Sequence, residues 1–336
     1  MRVPRFATFF AALLALWLCV TATSAFGQEI VFGMSAAFSG PNRGMGVEFH
    51  RGLMACLDQA SASGAANGAH LSVIALDDGY DPEPAVHNTI HLVKEDQVFA
   101  LTSYVGTPTV TRMLPALEKF RDQDIFLLFP LTGAEPLRSP PYARYVYNLR
   151  ASYAQETRGL VSRFLSLGRR RIAVFYQADA YGRSGWFGVR RALKDMGLDI
   201  CGEAAYSRGR SFADSLQREV AILAATGPDA IIVIGAAASA AAFIRDARDA
   251  GLTVPIANVS FANADEMLRL LVEASYGQST DYTADLIHSQ VVPSYEDLTL
   301  PAVRRYRELM AARPGLRGDQ PLVEPYTPHT SSIISR

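Results

Sequence analysis

Short β-branched runs alternate with helical patterns along most of the chain, and that alternation narrows its folds to parallel α/β architectures. Ile30–Met34 precedes an amphipathic run from Val47 to Ala60, Leu71–Leu76 precedes Pro84–Glu95, and Val98–Leu101 precedes Thr109–Arg121. Ile125–Phe129 then leads into a Pro-rich turn. A second series follows: Ala154–Leu167, Ile172–Tyr176, Gly185–Met196, Ile200–Tyr206, Phe212–Ala225, Ala230–Ile234, Ala238–Ala250 and Val254–Val259. Such repeats make right-handed βαβ units whose strands form parallel sheets. The seam lies near 147–152, after Pro140-Pro141. The expectation is therefore an α/β protein of two doubly wound lobes joined by a hinge, with a ligand cleft between them.

The first 27 residues read as a secretory signal: Arg2 and Arg5, the apolar stretch Phe6–Val20, and Ala25-Phe-Gly27 as a cleavage site. The stretch is shorter than the roughly 20 residues of a membrane span, although a retained anchor is the alternative. Trp17 and Leu18 before Cys19 do not fit a lipoprotein. Cleavage removes two of 32 basic residues and none of 33 acidic ones, so the exported chain carries a net charge of −3. That balance gives no footprint for nucleic acid. Cys56 and Cys201 fall in different lobes and are expected to be free, buried thiols.

Two small-residue loops carry the functional signal. Ser103-Tyr-Val-Gly-Thr-Pro-Thr109 and Pro130-Leu-Thr-Gly-Ala-Glu135 each follow a strand-like run and precede a helix-like segment. Backbone N–H groups and hydroxyls beside a helix N-terminus suit a small anion or carboxylate. In open parallel sheets, such sites lie outside the carboxyl ends of the strands.

With Phe38-Ser-Gly-Pro41, Asp77-Asp78-Gly-Tyr-Asp81, Arg171-Ile-Ala-Val-Phe-Tyr176, Ala180-Tyr-Gly182 and Pro228-Asp-Ala-Ile-Ile-Val233, these loops give the chain its resemblance. From about residue 28 to 320 it resembles the type I periplasmic solute-binding proteins of ABC importers, the group containing the leucine/isoleucine/valine-binding protein. The resemblance implies a signal peptide at 1–27, one lobe from 28–148 plus 291–336, and a second from 149–290. It implies a periplasmic receptor, monomeric by family default, that closes on a small solute and delivers it to a membrane permease without a cofactor. By position, the carboxylate grip falls on Val105, Gly106 and Thr107 and on Leu131 and Thr132. A second-lobe tyrosine falls on Tyr181, and a covering residue on Met45. The family's acidic partner for an ammonium group falls at Ser260, and a further second-lobe tyrosine falls on Ala236 or Ala237. A buried ammonium without a charged partner is unfavourable by several kcal/mol. The expected solute is therefore a carboxylate or amide, ahead of a branched-chain amino acid, unless Asp179 substitutes. Arg150 and Tyr153, past the seam, are placed either against the solute or in hinge packing.

Other signals have plainer readings. His87 and His91 lie four apart but lack a zincin Glu and a third ligand, so they read as exposed helix residues, with no metal expected. Asp81 before Pro82 reads as a helix cap. Gly182-Arg-Ser-Gly-Trp-Phe-Gly188 lacks the G-x-G pair of a dinucleotide site and reads as close helix packing. No catalytic constellation is recognisable, which leaves an exported enzyme as the remote alternative and a sensory receptor of the same fold as the nearer one. The end of the chain, Leu322–Arg336, carries two prolines and a Thr/Ser run where the family continues with a helix and strands. It reads as a truncated or frameshifted tail.

Overall fold

A computed structural model describes residues 28–312. The readings of residues 1–27 as a signal peptide and of the tail from Leu322 as truncated or frameshifted lie outside the described residues. The first sheet contains β1 (Glu29–Ala36), β2 (His70–Asp77), β3 (Ala100–Thr102), β4 (Leu127–Leu128) and β5 (Val146–Tyr147), in the order β2-β1-β3-β4-β5. The second contains β6 (Ile172–Gln177), β7 (Gly202–Tyr206), β8 (Ala230–Ile234), β9 (Ile256–Asn258) and β10 (Leu286–His288), in the order β7-β6-β8-β9-β10. All pairings are parallel. Both sheets thus repeat one winding, with a switch in direction between β1 and β3 and between β6 and β8. Each switch opens a crevice at the strand carboxyl ends.

Helices cover both faces of each sheet. In the first lobe, α1 (Arg43–Ala62) packs through Val47 on the face carrying Met34, Val73 and Ala75. The helices α2 (Pro82–Lys94) and α3 (Thr107–Lys119) cover the other face through Leu92, Met113 and Leu114. In the second lobe, α4 (Tyr153–Ser166) and α5 (Ala180–Lys194) bury Leu160, Phe164 and Val189 against Val174 and Ile232. Opposite them lie α6 (Gln217–Ala224), α7 (Ala237–Asp249) and α8 (Ala264–Ser275). Phe175 is stacked between Tyr206 and Phe243, with centroids 4.9 and 4.1 Å away. Every residue of β6 and β8 is buried, as befits strands covered on both faces. Finally α9 (Pro301–Ala311) returns to pack on α1. No helix among the described residues is long and apolar enough to cross a membrane.

Local details follow the sequence closely. Asp81 caps α2 by accepting from the Glu83 N–H, and Ser152 caps α4 in a reciprocal pair with Gln155. His87 and His91 lie exposed on α2. The cysteines are unbridged, but Cys56 is exposed and Cys201 half-buried, so the expected burial does not hold. Cys56 sits on the outer side of α1, away from its Val47 face.

Gly182 and Gly188 let α5 approach its surroundings closely. A Cβ at Gly182 would stand 1.8 Å from the Gln177 carbonyl oxygen, and one at Gly188 2.3 Å from Thr157 Oγ1. Gly182→Ala must therefore shift the start of α5. It should lower stability by roughly 1–3 kcal/mol or more. Gly159→Ala on exposed α4 surface, where a Cβ meets nothing within 4 Å, should instead raise it by about 0.4–1 kcal/mol. Urea unfolding of both variants checks the pair of opposite signs.

Candidate functional site

The loop after β3 and the loop after β4 lie side by side, joined by a parallel bridge between Val105 and Leu131. Leu131 donates its N–H to the Tyr104 carbonyl at 2.7 Å, and Gly106 donates to the Leu131 carbonyl at 3.3 Å. Ser103 and Phe129, which end these strands, both adopt left-handed backbone at φ 57° and 55°. Such bends are unfavourable for non-glycine residues and persist where the surrounding fold holds them. They turn the two loops toward the second lobe.

Gly106 precedes α3 at φ +108°, and no side chain caps this helix start. The first-turn amides, Thr107 and Thr109 among them, have no partner within the helix. Thr107 and Thr132 are fully buried, with hydroxyl oxygens 2.7 Å apart, and Tyr153 Oη stands 3.2 Å from Thr107 Oγ1. The second loop departs from expectation. Thr132 and Ala134 spend their amides on the Pro130 carbonyl and Thr132 Oγ1, and the loop opens only a short 3-10 turn, Glu135–Arg138. Only the first loop begins an α-helix, so the second contributes its threonine hydroxyl more than a helix dipole.

From the second lobe, Tyr181 at the start of α5 is fully buried and donates to the Gly235 carbonyl at 3.3 Å. Asp179 caps α5 by accepting from the Tyr181 and Gly182 amides. Its other oxygen takes the Gln177 side-chain amide at 2.5 Å. Burial pushes the Asp179 carboxyl above its ordinary pKa, only partly offset by those donors. Ala236 and Ala237 begin α7 nearby. Met45 and Leu131, both half-buried, touch the cores of both lobes. Of the sequence-selected residues, Val105, Gly106, Thr107, Leu131, Thr132, Tyr153, Tyr181 and Met45 thus gather where the two lobes meet.

Ser260 sits beside them in a different network. Its N–H donates to Glu156 Oε1 at 2.6 Å, and its hydroxyl accepts from Arg150 Nη2 at 3.2 Å. Arg150 also forms a buried ion pair with Glu156 Oε2 at 2.6 Å, and Ser289 donates to Glu156 Oε1 at 2.6 Å. At the position where the family carries its ammonium partner, Ser260 stands as expected without an acid of its own, beside a guanidinium already neutralised by a carboxylate. Arg150 lies 4.9 Å over the Tyr153 ring.

Sequence reasoning passed over Tyr80 and Phe261. Their rings meet across the lobes at 6.2 Å, and Phe261 lies 4.7 Å from Tyr181, itself 5.3 Å from Tyr153. Four rings from four separate segments therefore pack together between the lobes. The only available signal was the position of Tyr80 inside the Asp-rich loop and of Phe261 beside Ser260. Asp77 is committed elsewhere, accepting from Phe38, Ser39 and Gly79 amides. Among the described residues, no group of three His, Cys, Asp or Glu is placed to hold a metal ion.

Comparisons with known proteins agree with this geometry. The model of the family described as periplasmic binding protein matches residues 29–325. A crystal structure of a possible leucine/isoleucine/valine-binding protein from Rhodopirellula baltica is 31% identical, covers 88% of this chain and 76% of that one, and superposes with a TM-score of 0.76. A substrate-binding periplasmic protein from Ralstonia solanacearum is 26% identical over 87% of this chain and 78% of its own, again with a TM-score of 0.76. A Pseudomonas aeruginosa amino acid binding protein is 22% identical over 71% of this chain, and the match spans 62% of that relative's length. Fold and family are those of solute-binding proteins, and the chain belongs to the periplasmic binding protein family.

Proposed function

We propose that this chain is the exported solute-binding component of an ABC importer, working in the periplasm and passing its solute to a membrane permease. The lobes, 28–148 with 291–336 and 149–290, close about the crossings near 148–152 and 289–291. The solute is a small carboxylate or amide-type molecule, related in shape to a branched-chain amino acid but without its ammonium group. Family membership and the names of its relatives support the receptor reading. The ligand class rests on one observation: both acidic groups beside the crevice are already used.

Glu156 accepts from Arg150, Ser260 and Ser289, and Asp179 accepts from two amides and Gln177. Each carboxylate oxygen already accepts at least one hydrogen bond and Glu156 is neutralised by Arg150, so an ammonium would have to share an occupied acid, and its burial without a charged partner is unfavourable by several kcal/mol. The uncapped start of α3 and the hydroxyls of Thr107 and Thr132 suit a carboxylate. Tyr153, Tyr181 and Met45 would then enclose the apolar body, with Val105, Gly106 and Leu131 forming the floor and Ser260 the far wall.

Thermal unfolding with a panel of amino acids, their 2-oxo acid counterparts, amides and aromatic or aliphatic carboxylates tests this reading. A solute at a hundredfold excess over its dissociation constant stabilises the folded state by about 2.7 kcal/mol. Carboxylates lacking an ammonium should raise the midpoint more than leucine does. Thr107→Val should weaken the best of them by roughly 10–100-fold in calorimetry, the equivalent of a hydrogen bond to a charged group. A larger shift with leucine than with its 2-oxo acid would reverse the ligand assignment.

A further inference from the structure

We infer that Tyr80 reads the solute: its phenol hydroxyl projects from the first lobe into the crevice and hydrogen-bonds a polar group carried on the solute away from its carboxylate. The inference rests on the receptor reading above and adds a second point of recognition to it.

Tyr80 is held in place from both lobes. Its backbone is left-handed at φ 65°, and its N–H donates to Asp78 Oδ1 at 2.8 Å. Its carbonyl accepts from Arg208 Nη1 at 3.2 Å, across the crevice, and the Arg208 guanidinium lies 5.9 Å over its ring. The ring rests on Gly106, where a Cβ would stand 2.4 Å from Tyr80 Cε2. Glycine at 106 thus serves two needs, the positive φ and the room for this ring. The ring therefore covers the helix start that suits a carboxylate, and it faces Phe261 on the other lobe.

The hydroxyl is what this placement leaves over. Tyr80 is 3% exposed, yet its Oη has no partner at hydrogen-bonding distance, and the nearby Gln177 side chain acts on it only weakly. The polar groups around it belong to the second lobe and are bonded to one another. Gln177 donates to Asp179 and accepts from Tyr206 at 3.2 Å. A buried hydroxyl without a partner is unfavourable, and each one in a native structure calls for a partner of its own. Other tyrosines of the crevice have theirs: Tyr153 meets Thr107, Tyr181 the Gly235 carbonyl, and Tyr206 both Gln177 and the Ala236 amide. Tyr80 alone among these four has no partner at hydrogen-bonding distance. The chemistry that fits is a monocarboxylate with a flat apolar body, to lie among the rings, and a hydroxyl or carbonyl at a distance from the carboxylate.

The test uses the whole chain and a matched pair of probes, 3-phenylpropanoate and 3-(4-hydroxyphenyl)propanoate, titrated by calorimetry into wild type and Tyr80→Phe. Wild type should bind the hydroxylated probe at least 10-fold more tightly. Tyr80→Phe should remove that preference and leave the unsubstituted probe within about twofold. Without any probe, Tyr80→Phe should melt no lower than wild type, because it deletes a hydroxyl that lacks a partner. A preference retained in Tyr80→Phe overturns the proposal, as does a lower melting point of the unliganded variant. If wild type binds both probes equally, the proposal fails while the carboxylate-receptor reading stands. If it binds neither, that reading fails for this class of solute and takes the proposal with it.

Discussion

Arg150→Met is expected to destabilise the protein by about 3–5 kcal/mol, a large part of the roughly 5–15 kcal/mol that a folded chain commands. The side chains of Arg150 and Glu156 are 5% and 2% exposed, so neither charge has water to fall back on. Removing the guanidinium leaves a buried carboxylate facing only neutral donors, the Ser260 amide and the Ser289 hydroxyl. It also removes the hydrogen bonds to Ser260 Oγ and the Ala151 carbonyl. The position concentrates the effect. Arg150 lies on the first crossing between the lobes, Ser260 follows β9, and Ser289 follows β10 at the second crossing, so one ion pair ties three segments together. Arg138 of the first lobe then grips the Arg150 carbonyl at 2.6 Å.

The double variant Arg150→Met with Glu156→Gln separates loss of packing from loss of charge. A neutral amide still accepts from Ser260 and Ser289 through its oxygen, and most of the lost stability should return. Denaturant unfolding of wild type, both single variants and the double variant measures the coupling. Arg150→Met within about 0.5 kcal/mol of wild type would mean that the pair is open to solvent and carries none of this tie.

How much of this was legible in the sequence divides along a physical line. Elements built by local periodicity were readable: β6 and β8 as continuous apolar runs, α2 by its Asp81 cap and Pro82, and α5 from its glycines. The two small-residue loops were readable because a turn at a strand end announces itself in a few adjacent residues, whereas Tyr181 came only from the family resemblance. Elements that owe their shape to distant partners were not. The helical pattern over Phe212–Ala225 is a helix only from Gln217, because Arg245 captures the Phe212 and Asp214 carbonyls and Asp246 the Leu216 amide. The strand β10 has only three half-buried residues, and its pairing with β9 supplies what its composition does not. Tyr80, Phe261 and the Arg150–Glu156 pair lie more than a hundred residues from some of the groups they meet. No spacing rule links them, since only the packing of one lobe against the other brings them together.

Asp78→Asn is expected to make stability rise more steeply with pH between about 4 and 7 than it does in the wild-type protein. Burial pushes the Asp78 carboxyl up to about 7 from 3.8, against the opposing donors Ser35 and the Tyr80 amide, with Asp77 and Asp81 nearby adding to the rise. The folded state thus holds this proton more tightly than the unfolded chain does. Its contribution is fully present below the ordinary carboxylate range and is lost as pH climbs through 7, by roughly 4 kcal/mol at 1.36 kcal/mol per pKa unit. His50 works in the opposite sense. Buried beside Phe38 with no partner for either ring nitrogen, it is pushed down to about 4 from 6.5, the charge of Asp58 opposing the shift. Its contribution is present above pH 6.5 and is lost as pH falls toward 4, by roughly 3 kcal/mol. Each group offsets the other over the same window. Asp78→Asn leaves the His50 slope exposed, while His50→Phe leaves the Asp78 slope, so that this second variant should lose stability as pH rises. Denaturant midpoints of the three proteins from pH 4 to pH 7.5 test the assignment, and parallel curves for all three would show that neither group titrates in the folded state. The stakes reach the crevice, because the carboxyl that titrates is the one that receives the Tyr80 amide. Ionisation strengthens that hydrogen bond while leaving an unpaired charge buried beneath it, so the loop that carries Tyr80 is held most tightly, and at greatest expense to the fold, above pH 7.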